Sequence, residues 1–433
     1  MPTESTTKPL LRIGVLSDSQ SYPSRNDWGM TNMRKVLDYL SKCGVDVVIH
    51  AGDLAEYGDD KRPQKMYRQL LREKFPDKLP VQVTCAGNHD LWAHGGSGIT
   101  QRQMFEEYCE AMEETCDNPS VKTVNGYTFI AITEYNKPNS PTDIGGLPDD
   151  VLKRLEDALE ETTKAHPGRP VFVVTHRNPS GTVTGGALPG HGIEVFREIF
   201  NRFPEIVSLS AHSHPTLFDE RSIWQGEFTA LNTATLSYGC SEEFPVNSVN
   251  SIVPFSNEIV EYMVINVYED VMEVERRSVT YDCEIKPQAR WRVALPYSPV
   301  NAVYTAARGK GRPAPEFPAD AQIVLWYDYG FVYFAIEAAV HEDFTHFYDM
   351  AITDVATGER KVYRYISDFH RPPELRSRRP VFKFAPDALV PGKSYHLELT
   401  PVETFGNQGK PLELDTVIPA TYHFRSFAPY PQE

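Results

Sequence analysis

Five apolar segments of this sequence each end in side chains that bind metal ions in proteins. Carboxylates, imidazoles and amide oxygens favour borderline to hard divalent ions, and no cysteine stands among them. In open α/β sheets, ligands bind in the crevice outside the carboxyl ends of the strands. One such segment would mean little, but five in series predict a shared metal site. The side chains are Asp18 and Gln20 after LRIGVL, Asp53 after VDVVIH, Asn88, His89 and Asp90 after VQVTC, His176 after RPVFVVT, and His212 and His214 after IVSLS.

The stretch VQVTCAGNHDLWAH, from Val81 to His94, is the densest of the five. Val81 and Val83 alternate with polar residues, which is typical of a short strand. Gly87 then permits a sharp turn that presents the next three side chains together. This stretch is the one around which we expect the rest of the site to assemble.

The series as a whole resembles the motifs of the calcineurin-like metallophosphoesterases over roughly residues 11 to 280. Two positions depart from the usual pattern, because Gln20 replaces a histidine and Ala211 a glycine. The Asp-x-Gln variant resembles the branch that contains manganese-dependent ADP-ribose/CDP-alcohol diphosphatases and certain protein phosphatases. The matching motifs are Asp18-x-Gln20, Gly52-Asp53, Gly87-Asn88-His89-Asp90, His176 and His212-x-His214.

The resemblance implies two divalent metal ions bridged by Asp53. Manganese, iron, zinc or nickel suits the ligand types, with manganese favoured. The implied ligands are Asp18, Gln20, Asp53 and His214 for the first ion, and Asp53, Asn88, His176 and His212 for the second.

The resemblance also implies a reaction, in which a metal-bridged hydroxide attacks a phosphoester or pyrophosphate bond. His89 is expected to protonate the leaving oxygen or to stabilise its charge, and Asp90 to orient the His89 imidazole. Asn88, Arg177 and His94 are the expected substrate contacts. The protein is thus expected to be a dinuclear metal-dependent phosphoesterase acting on a phosphorylated small molecule. Two alternatives stay open: a phosphoprotein phosphatase, and a non-catalytic metal-binding scaffold.

The elements that carry these residues alternate between strand and helix. Strands are expected at 11–16 and 45–49, and helices at about 30–42, 63–74, 100–114 and 149–165. Asn125-Gly126 between two strand-like runs predicts a hairpin. The loop side chains Tyr22, Arg25, Asn26 and Trp28 either line a substrate mouth or belong to a solvated loop with one packed aromatic ring.

Beyond His214 the pattern predicts alternating strands of a second sheet's meander, and the resemblance implies a four-layer αββα sandwich. Proline and glycine become frequent from about Glu284. We therefore expect a flexible tail at 1–10, a catalytic domain at 11–283, a linker at 284–311 and an all-β sandwich domain at 312–433. The glycine-rich segment after His176 is expected to form either a mobile loop over the site or an ordinary connection.

The last domain resembles fibronectin type III domains near its end, where Pro391-Gly392 predicts a turn and Gly406-Asn407 a hairpin. Tyr395 stands where such domains place a tyrosine corner. Two roles are open for this domain: it is either a structural cap packed on the catalytic domain or a site that binds sugar or a partner.

Composition narrows the class of partner. A net charge of −16 disfavours nucleic-acid and membrane surfaces, which require basic patches. The six cysteines have no C-x-x-C spacing, so free thiols are expected. The first residues lack an export signal, which predicts a cytoplasmic protein by default and an exported one if a signal had been removed. The oligomeric state is left open.

Overall fold

The computed structural model describes residues 8–23, 27–92, 98–135, 147–185, 192–240, 253–328, 331–385 and 388–419. Contacts divide the chain into two compact units, and each is described here by itself. The first unit comprises residues 1–242 and 256–306, and the second comprises residues 243–255 and 307–433.

The first unit carries the helices and the parallel strands. Its helices are α1 (Trp28–Cys43), α2 (Arg62–Lys74), α3 (Gln101–Met112), α4 (Asp149–Ala165) and α5 (Glu194–Phe200). Its strands are β1 (Leu11–Leu16), β2 (Val47–His50), β3 (Val81–Thr84), β4 (Ser120–Val124), β5 (Tyr127–Ile132), β6 (Val171–Thr175), β7 (Asn178–Pro179), β8 (Gly192–Ile193), β9 (Ile206–Ser210), β10 (Ile223–Gln225), β11 (Thr229–Asn232), β12 (Glu261–Val267), β13 (Val271–Ser278), β14 (Cys283–Ile285) and β15 (Trp291–Ala294).

Local signals explain where these elements begin and end. Asp27 caps α1 by accepting a hydrogen bond from the Met30 amide at 3.0 Å, and Gly44 ends the helix with a φ of 65°. Thr100 and Gln103 form a capping box at the start of α3. The predicted hairpin is confirmed, since Asn125 and Gly126 join β4 to β5 with positive φ.

Two mixed sheets form the centre of the first unit. In the first sheet the order is β14-β13-β12-β1-β2-β3, with β15 also paired to β13, and β1, β2 and β3 are parallel. In the second sheet the order is β10-β11-β9-β6-β5-β4, and β11, β9, β6 and β5 are parallel. The carboxyl ends of parallel strands lie at one edge of a sheet. The candidate ligands come after these strand ends and therefore lie at that edge.

Three buried clusters show how the layers stack. One lies between the two sheets and includes Ile13, Ile49, Phe129 and Leu209. A second packs the first sheet on α1, α2 and α3, and a third packs the second sheet on α4 and α5. The expected four-layer αββα sandwich is therefore confirmed.

The strands beyond His214 do not form one meander. The hairpin β10–β11 joins the second sheet through β9, whereas β12–β13 joins the first sheet, where β12 lies antiparallel to β1. Alternation in sequence identifies a strand and its buried face, but it does not identify the neighbouring strand. Helix α5 was also missed, because it is only seven residues long and has no side-chain cap at its start.

The expected linker at 284–311 differs from what the structure shows. Its first residues form β14 and β15, both of which pair with β13, and the first unit continues to Ala306. Trp291 in β15 is fully buried between the sheets. The prolines and glycines of this segment lie outside the two strands, where they belong to the connections between and after them.

The second unit is built from antiparallel strands. The strands are β16 (Val324–Asp328), β17 (Phe331–Ala335), β18 (Phe347–Asp354), β19 (Arg360–Ile366), β20 (Val381–Lys383), β21 (Ser394–Val402) and β22 (Leu412–Val417). They form a three-stranded sheet in the order β16-β17-β20 and a four-stranded sheet in the order β19-β18-β21-β22, around one apolar core that includes Phe334, Met350 and Leu397. This agrees with the expected all-β architecture.

Two further observations concern the cysteines and the helices of the described segments. All six cysteines lie in described segments and none is in a disulfide, as predicted. Within the described segments, no helix is long and apolar enough to span a membrane.

Candidate metal centre

The candidate ligands lie just beyond the carboxyl ends of β1, β2, β3, β6 and β9, in backbone conformations that are unusual for non-glycine residues. Asp18, Gln20, Asp53, His212 and His214 all have positive φ, between 40° and 69°. Each such residue costs about 1–3 kcal/mol, and such strain persists where the surrounding structure requires it. The strain places the five side chains at one edge of the fold.

Two groups of side chains at this edge have the geometry of metal sites. Asp53, His176 and His212 form one group, and Asp18, Asp53 and His214 form the other, with the ligand atoms of each group within 4.8 Å of one another. Asp53 belongs to both. The two groups would suit two adjacent divalent ions, with the Asp53 carboxylate available to both.

The hydrogen bonds of two histidines aim their second ring nitrogen into the centre. The Nδ1 atom of His176 donates to the Ala51 carbonyl oxygen at 2.9 Å, and that of His214 donates to the Tyr238 carbonyl oxygen at 2.8 Å. A carbonyl only accepts, so each Nδ1 carries the proton and each Nε2 keeps a lone pair in the neutral ring. Backbone carbonyls commonly orient metal-binding histidines in this way.

The atoms facing these lone pairs are themselves acceptors. His176 Nε2 lies 3.2 Å from Asp53 Oδ2 and 3.1 Å from Asn88 Oδ1, and His214 Nε2 lies 3.1 Å from Asp18 Oδ1. Acceptors packed this closely and buried require a proton or a cation between them. The donor set therefore fits divalent ions.

The pKa shifts of the buried carboxylate–histidine pairs also show that a positive charge is favoured between these groups. Burial alone would raise the pKa of Asp53, but the neighbouring His176 outweighs burial and lowers the pKa below its usual range. For His176 burial lowers the pKa, yet the Asp53 carboxylate raises it on balance. His214 behaves likewise toward Asp18, and its pKa is also raised.

Glycine is required at two positions that touch the centre. A Cβ atom on Gly87 would lie 2.1 Å from Asp53 Oδ1, and one on Gly52 would lie 2.5 Å from His176 Nδ1. Gly52 also has a φ of 93°. The glycines of the Gly-Asp and Gly-Asn motifs thus leave room for the ligands beside them.

The remaining expected ligands occupy different settings. The Asn88 oxygen faces His176, and the His212 ring packs edge-on against His176 with centroids 5.0 Å apart. The His212 amide donates to Asp18 Oδ2 at 3.3 Å. The Gln20 side-chain oxygen accepts a hydrogen bond from Ser237 Oγ at 3.0 Å, so Gln20 has a protein partner at the rim.

His89 lies against the centre, but Asp90 does not orient it. The His89 amide donates to Asp53 Oδ1 at 2.8 Å, and its ring Nδ1 donates to the Glu56 carbonyl oxygen at 2.9 Å. The Glu56 carboxylate lies 4.0 Å from the same nitrogen. Glu56 therefore has the position that we expected Asp90 to have.

Asp90 instead holds the loops together. Its buried carboxylate accepts hydrogen bonds from the amides of Leu54, Ala55 and Gly87 and from the Gln64 side chain, at 2.9–3.2 Å. Burial, together with repulsion from Asp53, raises its pKa to about 6. Adjacency in sequence suggested a contact with His89, but the turn directs the two side chains apart.

Of the expected substrate contacts other than Asn88, Arg177 lies among the described residues and His94 does not. Arg177 is buried, and its amide donates to the Glu134 carboxylate at 2.9 Å. Burial raises the pKa of Glu134. His94 lies outside the described residues, as do Arg25 and Asn26 and part of the glycine-rich segment after His176.

Two residues at the site were missed from the sequence. Tyr238 supplies the carbonyl that orients His214, and its ring packs on that imidazole with centroids 4.8 Å apart. Glu56 contributes a carbonyl and a carboxylate beside His89. The position of Tyr238 shortly after β11, another strand ending at this edge, is a signal that could have pointed to it.

Fold and site together define a metal-dependent hydrolase domain, with paired ion sites at the carboxyl ends of strands from two sheets. The family model for calcineurin-like phosphoesterases matches residues 11–216. This matched segment contains all of the candidate ligands, and the protein is a phosphoesterase hydrolase.

Comparison with solved structures gives distant likenesses. A dimetal phosphatase from Danio rerio aligns at 10% identity and a TM-score of 0.41, over 64% of this chain and 99% of that one. A purple acid phosphatase from yellow lupin (Lupinus luteus) aligns at 12% identity and a TM-score of 0.43, over 66% of this chain and 53% of that one. A comparison with curated proteins gave no match.

Proposed function

We propose that this protein hydrolyses a phosphoester or pyrophosphate bond of a small molecule with two divalent ions, manganese being preferred. The observation that carries the proposal is the pair of side-chain groups that share the buried Asp53, in which the Nε2 atoms of His176 and His214 face carboxylate oxygens. The proposed ligands are Asp18, Gln20, Asp53 and His214 for one ion, and Asp53, Asn88, His176 and His212 for the other.

When bound, the two ions would supply Lewis acidity toward phosphoryl oxygens and a water of lowered pKa. The chain's own residues then have separate tasks. Asp18 and Asp53 offer two negative charges against four positive ones, so a phosphoryl group meets a positive site within an acidic protein. The carbonyls of Ala51 and Tyr238 keep His176 and His214 in the tautomer that can bind an ion.

We propose His89 as the group that protonates the leaving oxygen. Its Nδ1 is held by the Glu56 carbonyl, which leaves Nε2 to donate a proton toward the substrate. The Glu56 carboxylate lies 4.0 Å from the same Nδ1, so a negative charge lies beside the ring. His89 is positioned relative to the ions by the hydrogen bond from its own amide to Asp53.

The preference for manganese rests on Gln20. A glutamine binds through its carbonyl oxygen, which is a harder and weaker donor than imidazole nitrogen, so the first site would favour manganese relative to an Asp-x-His site. The Ser237 hydroxyl already donates to this oxygen, which fixes its direction at the rim and leaves its second lone pair for an ion.

For the second unit, we propose a fibronectin type III-like domain. The Tyr395 hydroxyl accepts a hydrogen bond from the Val390 amide at 3.0 Å, five residues upstream, and Tyr395 itself is buried. A tyrosine corner makes this kind of link between a strand and the turn before it.

The experiment that tests the proposed function measures metal content and turnover on one preparation. Purified protein is loaded with manganese, zinc or iron, its metal content is counted by mass spectrometry, and it is assayed with p-nitrophenyl phosphate, its bis-ester, a nucleoside diphosphate-alcohol and a phosphopeptide. We expect two ions per chain and manganese-dependent hydrolysis of a small-molecule ester. Two bound ions without turnover of any substrate would leave the scaffold alternative, and turnover of the phosphopeptide alone would leave the phosphoprotein phosphatase.

A further inference from the structure

A cavity of about 690 Å³ lies beside the candidate metal centre, and apart from Glu56 its lining residues have no part in the proposed metal chemistry. It is lined by Tyr22, Glu56, Tyr57, Asp59, Asp60 and Arg62, which we call the aromatic pocket. Two tyrosine rings together with three carboxylates are an unusual lining for a protein whose proposed substrate carries a phosphate.

The pocket is joined to the centre by the loops that carry Asp18 and Asp53. These loops run side by side, with the Gln20 amide donating to the Asp53 carbonyl and the Ser21 amide to the Leu54 carbonyl, both at 2.9 Å. The Glu56 amide then donates to the Ser21 carbonyl at 3.0 Å. Glu56 is three residues beyond Asp53, which corresponds to about 10 Å at 3.3 Å per extended residue.

A row of aromatic rings connects the pocket with His89. The rings of Tyr22 and Tyr57 pack edge to face with centroids 6.0 Å apart, and Tyr57 packs likewise on Trp92 at 5.9 Å. Trp92 in turn packs on the His89 ring at 5.7 Å. Tyr22 and Trp92 are more than half exposed, so ring surface is open to a ligand beside the proposed proton donor.

The charge of the pocket is negative after its internal ion pair is counted. Arg62 binds Asp60 through two nitrogens, with the shortest contact at 2.5 Å, and these two charges offset each other. Glu56 and Asp59 provide the remaining charge. Lys61 binds the Gly58 carbonyl, the Met104 carbonyl at 3.3 Å and the Glu107 carboxylate at 3.7 Å, and its interaction with Asp59 offsets part of that charge, so Glu56 is the carboxylate without a cationic partner among the lining residues.

We propose that the aromatic pocket binds an organic cation, an amine or quaternary ammonium group, carried by the alcohol side of the phosphoester substrate. Ring faces and carboxylates together attract such cations and repel a second phosphate. The inference rests on the proposed phosphohydrolase function, since it assigns the phosphate to the metal centre and the cation to the pocket. A substrate with both charges would match the positive centre and the negative pocket at once.

The test compares an ester that carries the cation with a neutral ester of the same shape. Manganese-loaded protein is assayed with phosphocholine, phosphoethanolamine and 3,3-dimethylbutyl phosphate, the last of which replaces the ammonium by a neutral carbon. We expect kcat/KM for a cationic ester to exceed that for the neutral one by about tenfold, the factor expected when a cation gains ring faces and a carboxylate together. The choline and ethanolamine arms distinguish a quaternary ammonium from a primary amine.

Variants of the pocket locate the effect. Asp59→Asn and Tyr57→Leu should bring the ratio of the cationic to the neutral ester close to one. Asp77→Asn makes the same charge change at an exposed aspartate outside the pocket, and it should keep the wild-type ratio. A ratio that is near one in the wild type, or that Asp59→Asn and Tyr57→Leu leave unaltered, overturns the inference.

Binding measured by calorimetry separates this inference from the proposed function. Choline chloride is titrated into wild-type protein and into Tyr57→Leu, with and without manganese. Saturable choline binding that is lost in Tyr57→Leu supports the pocket, whether or not any ester is hydrolysed. A failure to hydrolyse any ester would contradict the proposed function and not the binding of the cation. Hydrolysis of p-nitrophenyl phosphate without choline binding leaves the function standing and overturns the inference.

Discussion

The two units of this chain use β-strands in opposite ways. In the first unit, parallel strands from two sheets end at one edge, and the residues that follow them are polar and adopt strained, left-handed conformations, as at Asp18, Asp53 and His214. In the second unit the strands are antiparallel and joined by turns, and the positive φ at Gly358, Gly392 and Gly406 falls on glycines, which adopt it at little cost. Five of the non-glycine residues with positive φ are candidate ligands at the edge where we place the chemistry, whereas others, such as Glu113 at the end of α3 and Asn125 in a hairpin, serve ordinary caps and turns.

The difference also concerns where polar groups are buried. Asp18, Asp53, His176 and His214 are all less than 5% exposed, in positions where an unpaired charge would be costly. The centre of the second unit is aromatic and aliphatic, with Phe334 in contact with three other rings. We expect substitutions at the candidate metal centre of the first unit to affect ions and turnover, and substitutions in the core of the second unit to affect folding stability.

The largest expected effect is that of Asp53→Asn. A neutral amide between the two sites removes a charge that both ions share, and losing one partner of a buried charge pair costs about 3–5 kcal/mol. We expect turnover to disappear and metal content to fall from two ions to one or fewer. Metal counting and p-nitrophenyl phosphate hydrolysis measure both, with Asp77→Asn as the matched control. Two retained ions with near-normal rates would show that Asp53 is not the bridge.

The next effect is that of His89→Asn, which should keep both ions and lower kcat by ~10²–10⁴, the range usual for a positioned acid. Because a good leaving group needs no proton, the loss should be smaller for p-nitrophenyl phosphate than for an alkyl phosphate. His166→Asn, at an exposed position after α4, controls for the substitution itself. Equal losses for both esters would contradict the proton-donor role.

In the second unit, Phe334→Ala should act on stability alone. The ring is fully buried against Tyr365, Phe382 and Phe384, so its removal should cost about 3–5 kcal/mol. Denaturant unfolding followed by circular dichroism measures the loss, and metal content should stay at the wild-type value. A loss of bound metal without a loss of stability would break the contrast between the units.

Stability should also depend on pH through Glu261 in the first unit. Burial raises the pKa of this carboxyl from 4.5 to about 7, against hydrogen bonds from the Leu217 amide and Thr216 hydroxyl. A raised acid pKa means that the folded state favours the protonated form. Its contribution is therefore fully present below pH 4.5 and is lost as the pH rises through 7, by roughly 3 kcal/mol in total.

Glu261→Gln removes this titration and so should remove the pH dependence. The free energy of unfolding is measured at several pH values from 4.5 to 8 for both proteins. Relative to the variant, the wild type should lose stability across that interval. Parallel pH profiles for the two proteins would exclude Glu261 as the source.

The smallest effect is expected for Gln20→His, which should raise zinc affinity at the first site by about tenfold relative to manganese, since imidazole nitrogen is the softer donor. Competitive titration of zinc and manganese into the metal-depleted wild type and variant measures the ratio. Ser237→Ala, which removes the hydroxyl that donates to Gln20, serves as a companion variant. Unchanged relative affinities in Gln20→His would remove Gln20 from the ligand set.

Much of the fold was predictable, because hydrophobic period and caps are local properties. Helix α4 was predicted to the residue, and β1 likewise, since each has a regular apolar pattern with clear ends. The pairing of β12 with β1 was not predictable, since about 250 residues separate them and many strands compete for the same edge. Helix α5 was not predictable either, because seven residues are too few to show a helical period.

The sequence by itself determined which candidate donor residues follow the apolar strands, because residue type and order along the chain are local properties. Only the tertiary structure decided which groups face one another. In the folded chain His89 donates a hydrogen bond to the Glu56 carbonyl, whereas the Asp90 carboxylate accepts hydrogen bonds from the loop amides of Ala55 and Gly87. The reason is that the turn after β3 directs the adjacent side chains of His89 and Asp90 apart. The aromatic pocket likewise depends on the tertiary structure, because parallel strands bring the loops of Tyr22 and Tyr57 side by side. The two tyrosines are 35 positions apart, and no local sequence pattern predicts their contact.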